Sequence, residues 1–313
     1  MDRRTFVKRS VSGSAAFAAL AAHEAVGHGA PKQRLSPLTA NDVHSYVRSL
    51  GADWVDPNRT VDTFKAGDPG MEVKGIAVGW LSYFASLEKA VELGCNLFVT
   101  HEPTYYDHRD ADQSVFAFEA ARKKKRFIEK SGLAVIRCHD VWDRVKEIGI
   151  RDAWGQFLGL GRELPVSGNP RFARSGVFCG LYEVPEIEAG RFAREVAGKV
   201  SAFGQDAVLL IGPEKQLVKS VAIGTGAITP FRYMVHDLGA DVVICTDDGF
   251  SFWRDGSLAI DMGQPVIVVN HPCSEEIGMQ RLAEHLAEKF PHVPVHHVPQ
   301  KCMFKVVSAN AAQ

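Results

Sequence analysis

Two stretches of the chain have the pattern of one repeated strand–helix–strand unit. Residues 73–99 read VKGIAVGWLSYFASLEKAVELGCNLFV, and residues 218–244 read VKSVAIGTGAITPFRYMVHDLGADVVI. They align without a gap at an offset of 145 positions, and their apolar patterns match nearly throughout. The identical pairs are Val73/Val218, Lys74/Lys219, Ala77/Ala222, Gly79/Gly224, Leu93/Leu238 and Gly94/Gly239. An ungapped match of this length favours an internal duplication.

Each copy predicts two strands around a helix. In the first copy we expect a buried strand over Ile76–Trp80, a helix over Ala85–Leu93 and a second strand over Asn96–Thr100. Gly94, like Gly239 in the second copy, stands where a helix ends in the left-handed conformation. Strands that alternate with helices indicate α/β layering and a mostly parallel sheet.

The duplication predicts two similar α/β lobes with a site in the cleft between them. A third strand is expected in each half, at 133–138 and at 265–270. The predicted segments are an export signal at 1–30, a first α/β lobe at 31–160, a linker at 161–174 and a second α/β lobe at 175–313.

Composition excludes some classes of function. The 36 basic and 37 acidic residues give a net charge of -1, so there is no basic excess to neutralise nucleic-acid phosphates. We therefore expect no nucleic-acid partner. No run of about 18 apolar residues occurs, which excludes an ordinary membrane span.

The N-terminus has the pattern of an export signal. Arg3 and Arg4 precede Thr5-Phe6-Val7-Lys8, and a weakly apolar stretch of small residues follows over 11–22. Paired arginines in this setting are typical of the twin-arginine route. This predicts a periplasmic or exported protein that meets the membrane only through its signal. If the arginines stand there by chance, the protein is cytoplasmic.

Three polar clusters follow predicted strands. They begin at His101, His139 and His271, and the second and third share the form His-x-x-x-carboxylate. Ligands of open α/β sheets bind outside the carboxyl ends of the strands. A pseudo-twofold relation between the halves would bring these clusters to one shared cleft.

The residue types in these clusters suit divalent metals. Imidazole and carboxylate without thiolate favour zinc, manganese or iron. Adjacent His101 and Glu102 point to opposite sides of an extended segment, so each can serve its own ion. Glu275, with two carboxylate oxygens, can bridge two such ions. The alternative is that these are ordinary surface or core histidines with helix caps and salt bridges.

Other residues are expected to surround the ions. His139 and Asp140 would orient the ligands or relay a proton. Aromatic side chains beside the motifs would either stack on a ring-shaped substrate or simply wall the cleft, and two carboxylates of the second half would line it. The predicted pocket residues are Tyr105, Tyr106, Trp142, Asp247 and Asp248.

The stretch GIAVGWLSYFASLEKAVELGCNLFVTHEPTYYDH resembles the Nif-three-like family of dinuclear-metal proteins, also described as GTP cyclohydrolase I type 2 homologues. The resemblance covers roughly residues 36–306 and implies that His101, Asp143, His271 and Glu275 bind metal. It also implies two ions at the interface of two α/β lobes and a hexameric assembly. Glu102 stands where most members have a second histidine, which would favour manganese, iron or magnesium over zinc, or weaken one position.

The expected function is that of a dinuclear metal-dependent hydrolase. Its small-molecule substrate would be nucleotide-like or would offer another C–N or phosphoester bond, as the family resemblance implies. Two alternatives stay open: a non-catalytic metal carrier or assembly factor, and a scaffold that has lost one metal.

Overall fold

The computed structural model describes residues 37–165, 178–307 and 309. The predicted export signal at 1–30 and residues 166–174 of the predicted linker lie outside this described part, so both stay predictions. Among the described residues, no helix has the length and apolar character needed to cross a bilayer.

Strands and helices alternate along most of the described chain. The strands are β1 (Phe64–Ala66), β2 (Ile76–Gly79), β3 (Leu97–Thr100), β4 (Ala134–Arg137), β5 (Gly180–Glu188), β6 (Leu209–Ile211), β7 (Leu217–Ile223), β8 (Val242–Thr246), β9 (Val266–Val269) and β10 (Val295–His297). The α-helices are α1 (Ala40–Ser49), α2 (Phe84–Glu92), α3 (Glu119–Ser131), α4 (Ile150–Leu158), α5 (Ala189–Val200), α6 (Ser257–Met262) and α7 (His271–Lys289).

The strands form two five-stranded sheets, which confirms the predicted α/β class. Their orders are β1-β4-β3-β2-β10 and β5-β7-β8-β9-β6. In each sheet the three strands predicted from the repeat, β2–β4 and β7–β9, pair in parallel at the centre. The duplication itself stays a hypothesis, but these strands occupy corresponding places in the two sheets.

The central strands are buried because their sequences are continuously apolar. All four residues of β2, β3, β4 and β9 are buried, as expected for parallel strands that are covered on both faces. After α2, Gly94 takes a φ of 75°, and Gly239 takes 67° at the corresponding point. These left-handed conformations are the ones that the two glycines predict.

The end of the described chain returns to the first sheet. An edge strand near 293–298 is expected from sequence, and the structure places it as β10, parallel to β2, with Val295 opposite Ile76. Helix α7 packs against α4 and β2, although it follows the last parallel strand of the second sheet. The sheets therefore do not separate at the predicted lobe boundary, because the second segment supplies one strand to the first sheet.

Candidate metal centre

The turns that follow β3, β4 and β9 meet at one buried cluster. His101 comes directly after β3, Asp143 lies in a short 3₁₀ turn after β4, and α7 begins just beyond β9. The Nε2 atom of His101 lies 3.5 Å from Oε2 of Glu275, so the ends of strands from both sheets come together. This is the arrangement expected at the carboxyl ends of parallel strands.

His101 presents one ring nitrogen to two carboxylates. Its Nδ1 lies 3.0 Å from the carbonyl oxygen of Cys138, a contact that fixes the ring if Nδ1 carries the proton. Its Nε2 lies 3.3 Å from Oδ1 of Asp143 but makes no hydrogen bond within the described part of the chain. Because His101 is fully buried, this nitrogen needs either a proton directed at the carboxylates or a metal cation shared with them.

Glu275 contacts both of the histidines that come from different sheets, His101 and His271. Its Oε2 lies 3.0 Å from Nε2 of His271 and accepts the indole N–H of Trp80 at 2.7 Å. Burial alone would raise the pKa of Glu275, but His271 and His101 lower it to about 2. Gly226 leaves the necessary room, since a Cβ at that position would lie only 2.4 Å from Oε1 of Glu275.

Glu102 lies on the other side of His271 and is paired with a buried arginine. Its Oε1 is 3.5 Å from Nε2 of His271, and its Oε2 is 3.1 Å from the Arg137 guanidinium. Arg137 is fully buried and also donates to the backbone carbonyls of His101 and His108. The glutamate is therefore held in a fixed orientation.

The donor atoms form three overlapping sets, each within 4.8 Å. The sets are His101/Asp143/Glu275, Glu102/His271/Glu275 and His101/Glu102/His139. All five residues predicted as ligands thus lie together, and Glu275 belongs to two sets. His139, which is predicted to lie outside the ligands, also comes within reach. The cluster could hold a metal ion, and its imidazole and carboxylate donors suit zinc, manganese or iron.

Without metal, the imidazoles are placed to hold protons between the carboxylates. Burial alone would lower the pKa of His101, but Glu275 and Asp143 raise it to about 9. The pKa of His271 is also raised well above its ordinary value, because Glu275 and Asp248 outweigh its burial. A metal ion that binds here must displace these protons.

The carboxylate of Asp140 orients the His139 ring. Its Nδ1 lies 3.0 Å from Oδ1 of Asp140, while its Nε2 faces Oε1 of Glu102 at 3.8 Å. Burial alone would raise the pKa of Asp140, but hydrogen bonds, first that with His139, lower it well below its usual range. Buried Asp62 accepts the backbone N–H groups of His139 and Val141 at 2.5 and 2.9 Å, and so fixes the turn that leads to Asp143.

The two carboxylates predicted to line the pocket support His271 instead. Asp248 Oδ2 lies 2.7 Å from Nδ1 of His271, and Asp247 Oδ1 accepts the backbone N–H of His271 at 2.8 Å. Helix α7 starts at His271, with Asn270 as the N-cap and Pro272 in its first turn. Asp247 thus satisfies one of the N–H groups that a helix start leaves without a partner.

The predicted aromatic residues do not all come to the cluster. Trp142 is fully buried and donates its indole N–H to the carbonyl of Gly278, so it is a core residue. Tyr105 is buried and lines a cavity of about 570 Å³ together with Lys65, and this cavity contains none of the donor residues. Tyr106 is 58% exposed, and its ring lies under the Lys124 ammonium group.

Three residues of the centre are missed by sequence reasoning: Trp80, Arg137 and Asp62. Trp80 and Arg137 belong to runs that predict buried strands, and Asp62 lies in no motif. A charged Arg137 at the end of the apolar run 133–138 is the one signal that could have pointed to a buried ion pair.

The fold and the cluster define an α/β protein with two five-stranded sheets and a candidate metal centre between strand ends. The family model described as Duf34/NIF3 (NGG1p interacting factor 3) matches residues 62–302, and the chain belongs to this family. The family named by the resemblance is thereby confirmed.

Individual relatives agree with this assignment. The chain is 22% identical over 204 residues to the GTP cyclohydrolase 1 type 2 homolog of Clostridium perfringens, a match that covers 65% of this chain and 74% of the relative. It is 24% identical over 171 residues to the protein of the same name from Clostridium acetobutylicum, covering 54% and 61%. The crystal structure of a Bacillus cereus protein related to NIF3 shares the fold, with a TM-score of 0.71, 14% identity and coverage of 87% and 100%.

Proposed function

We propose that the protein is a divalent-metal-dependent hydrolase that acts on a nucleotide-like substrate or another C–N or phosphoester bond. The observation that carries this proposal is the buried Nε2 of His101, which lies between the carboxylates of Asp143 and Glu275 without a hydrogen-bond partner among the described residues. The name of the two clostridial relatives supports the substrate class.

The chain's own residues supply the acid–base chemistry of this proposal. A divalent ion held by these donors would acidify a bound water and stabilise negative charge that develops on the substrate. The carboxylate of Asp140 holds Nδ1 of His139, which leaves Nε2 facing Glu102 and the cluster. His139 is therefore placed to accept a proton from the attacking water and to pass it to the leaving group.

Burial of the donors supports a second candidate function, that of a metal carrier or assembly factor. His101 is fully buried and Glu275 is 3% exposed, so little of the cluster reaches solvent. A carrier needs such closed ligands but no room for a substrate.

Export and self-assembly are further parts of the proposal. The paired arginines support passage through the twin-arginine route to the periplasm. A homo-oligomer, a hexamer by family resemblance, is supported by large apolar side chains on the surface, among them Trp253 at 82% and Ile260 at 66% exposure. Light scattering of the purified protein would measure the assembly directly.

The decisive experiment combines metal analysis with turnover. The protein is stripped with a chelator, reloaded separately with zinc, manganese or iron, and assayed against nucleotides and simple phosphoesters. A hydrolase loses turnover on stripping and regains it on reloading, and His139→Asn lowers turnover of the loaded protein. A protein that binds metal but turns over none of these compounds supports the carrier function instead.

A further inference from the structure

We propose that the two metal positions are unequal: one divalent ion binds tightly at His101, Asp143 and Glu275, and the Arg137 guanidinium takes the place of a second tight ion beside Glu102. The inference rests on the proposed metal centre and specifies its occupancy. It follows from two independent observations, one on Glu102 and one on Glu275.

The first observation is that Glu102 already has a cationic partner. Its Oε2 lies 3.1 Å from Arg137, so only Oε1 faces His271 and is available to an ion. The Glu102 side chain is 13% exposed and the Arg137 side chain is fully buried, so the pair is largely shielded from water. An ion that recruited both oxygens of Glu102 would have to leave a buried guanidinium without its counterion, which is strongly unfavourable.

Arg137 cannot move away to admit a second ion. Its Nε donates to the carbonyl oxygen of His101 at 2.7 Å, and its NH1 donates to the carbonyl of His108. Both acceptors are backbone atoms of the turn that carries Glu102. The guanidinium, which stays protonated in proteins, is therefore a fixed positive charge at one side of the cluster.

The charges of the cluster balance with one ion. Glu102, Asp143 and Glu275 carry three negative charges, and Arg137 with one divalent ion carries three positive charges. A second divalent ion would leave two uncompensated positive charges in a buried site. Asp140 and Asp248 compensate little, because their side chains are 35% and 63% exposed and water screens them.

The second observation is that the shared oxygen of Glu275 is already used. Oε2 accepts the indole N–H of Trp80 at 2.7 Å, and it is the same oxygen that lies nearest to both His101 and His271. A carboxylate oxygen has two lone pairs, so this atom has one left for an ion. The indole thereby prevents Oε2 from serving both ions, so a second ion would have to bind through Oε1 alone.

The donor sets then differ in strength. Among the described residues, Asp143 is paired only with imidazoles, those of His101 and of His139 at 3.5 Å, whereas Glu102 is shared with the permanently charged Arg137. The tight position is therefore the fully buried set, and the Glu102 side accepts an ion only weakly.

The test is a calorimetric titration of the metal-free full chain with Zn²⁺ and Mn²⁺, with bound metal measured after gel filtration. We expect one tight ion per chain and a second that binds at least about 100-fold more weakly, from repulsion by nearby positive charge. Glu102→Gln should weaken the tight ion less than Glu275→Gln does, because Glu102 lies outside the tight set and acts on that ion only through its nearby charge.

Two variants should strengthen the second position. Arg137→Gln removes the fixed charge and frees Oε2 of Glu102, so the second ion should bind within about tenfold of the first. Trp80→Phe, which keeps an aromatic ring but no donor, should also tighten the second ion and keeps the proposal testable if Arg137→Gln does not fold. Trp142→Phe is the control, since that indole bonds Gly278 away from the cluster.

The outcomes separate this inference from the proposed function. Two ions of similar affinity in the parent, or loss of the tight ion in Glu102→Gln, would overturn the inference and leave the metal centre standing. A Trp80→Phe variant that folds but binds its second ion no more tightly than Trp142→Phe does would also overturn it. No binding of either metal would overturn both.

Discussion

Removal of the Glu275 carboxylate should damage metal binding more than any other single change. Glu275→Gln keeps the shape of the side chain but removes a charge that lies 3.0 Å from His271 and 3.5 Å from His101. Loss of one partner from a buried ionic contact costs about 3–5 kcal/mol. Since each 1.4 kcal/mol is about tenfold, the affinity for the tight ion should fall about 100-fold to several thousand-fold.

The neighbouring residue provides a matched control. Glu276 is equally buried and lies on the same helical turn, but it accepts the backbone N–H of Gln300 and contacts His297. Glu276→Gln should therefore leave metal affinity within about threefold of the parent, whatever it does to stability. Both variants are measured by calorimetry and elemental analysis, with folding checked by circular dichroism.

The result that would refute this reasoning is specific. If folded Glu275→Gln keeps the metal content and affinity of the parent, Glu275 is not a ligand and the cluster must bind through other residues. If both glutamine variants lose metal to the same extent, the effect comes from the helix start and not from the donor.

Three further outcomes are expected. Changing Arg3 and Arg4 to lysine should retain the protein in the cytoplasm; continued appearance in the periplasm in fractionation assays would contradict the twin-arginine route. His139→Asn should weaken metal affinity or turnover about 10- to 100-fold without abolishing the site, as measured by competition with a chromogenic chelator. Burial lowers the pKa of Lys124 to about 8 from an ordinary 10.5, so the unfolded chain binds more protons between these values and the free energy of unfolding should rise with pH there. Urea midpoints across this range should show that rise, and Lys124→Met should flatten it.

The sequence predicts the central strands well and the edges of the sheets poorly. Continuous apolar runs such as Val266–Val269 are local signals of strands buried on both faces. The placement of β10 is not local, because either sheet offers an edge to a short strand. What selects the first sheet is the packing of α7 against α4 and β2, which only the tertiary structure shows.

The sequence likewise predicts only part of the candidate site: it identifies the metal donors but not the residues that hold them in place. His-x-x-x-carboxylate motifs after strands identify the donors, since strand ends are recognisable and their spacing is short. The partners of those donors are not recognisable, because Trp80 and Glu275 are 195 positions apart and Arg137 and Glu102 are 35 apart. For Trp142 the sequence suggests a contact with the site that the structure does not have. Its proximity to Asp143 in sequence suggests a pocket wall, whereas its ring is buried in the core.

The return of β10 to the first sheet has a consequence for how the protein is made. The amide of Gln300, just beyond β10, holds the backbone of Leu81 across 219 positions, so β2 gains its second neighbour only when residues 295–300 have left the ribosome. Until then its open edge can pair with other chains and needs protection. The metal donors at the start of α7 also come late in the sequence, so the centre is complete only after β9 and α7 have been made. A protein truncated before 295 should aggregate instead of folding into a smaller functional unit.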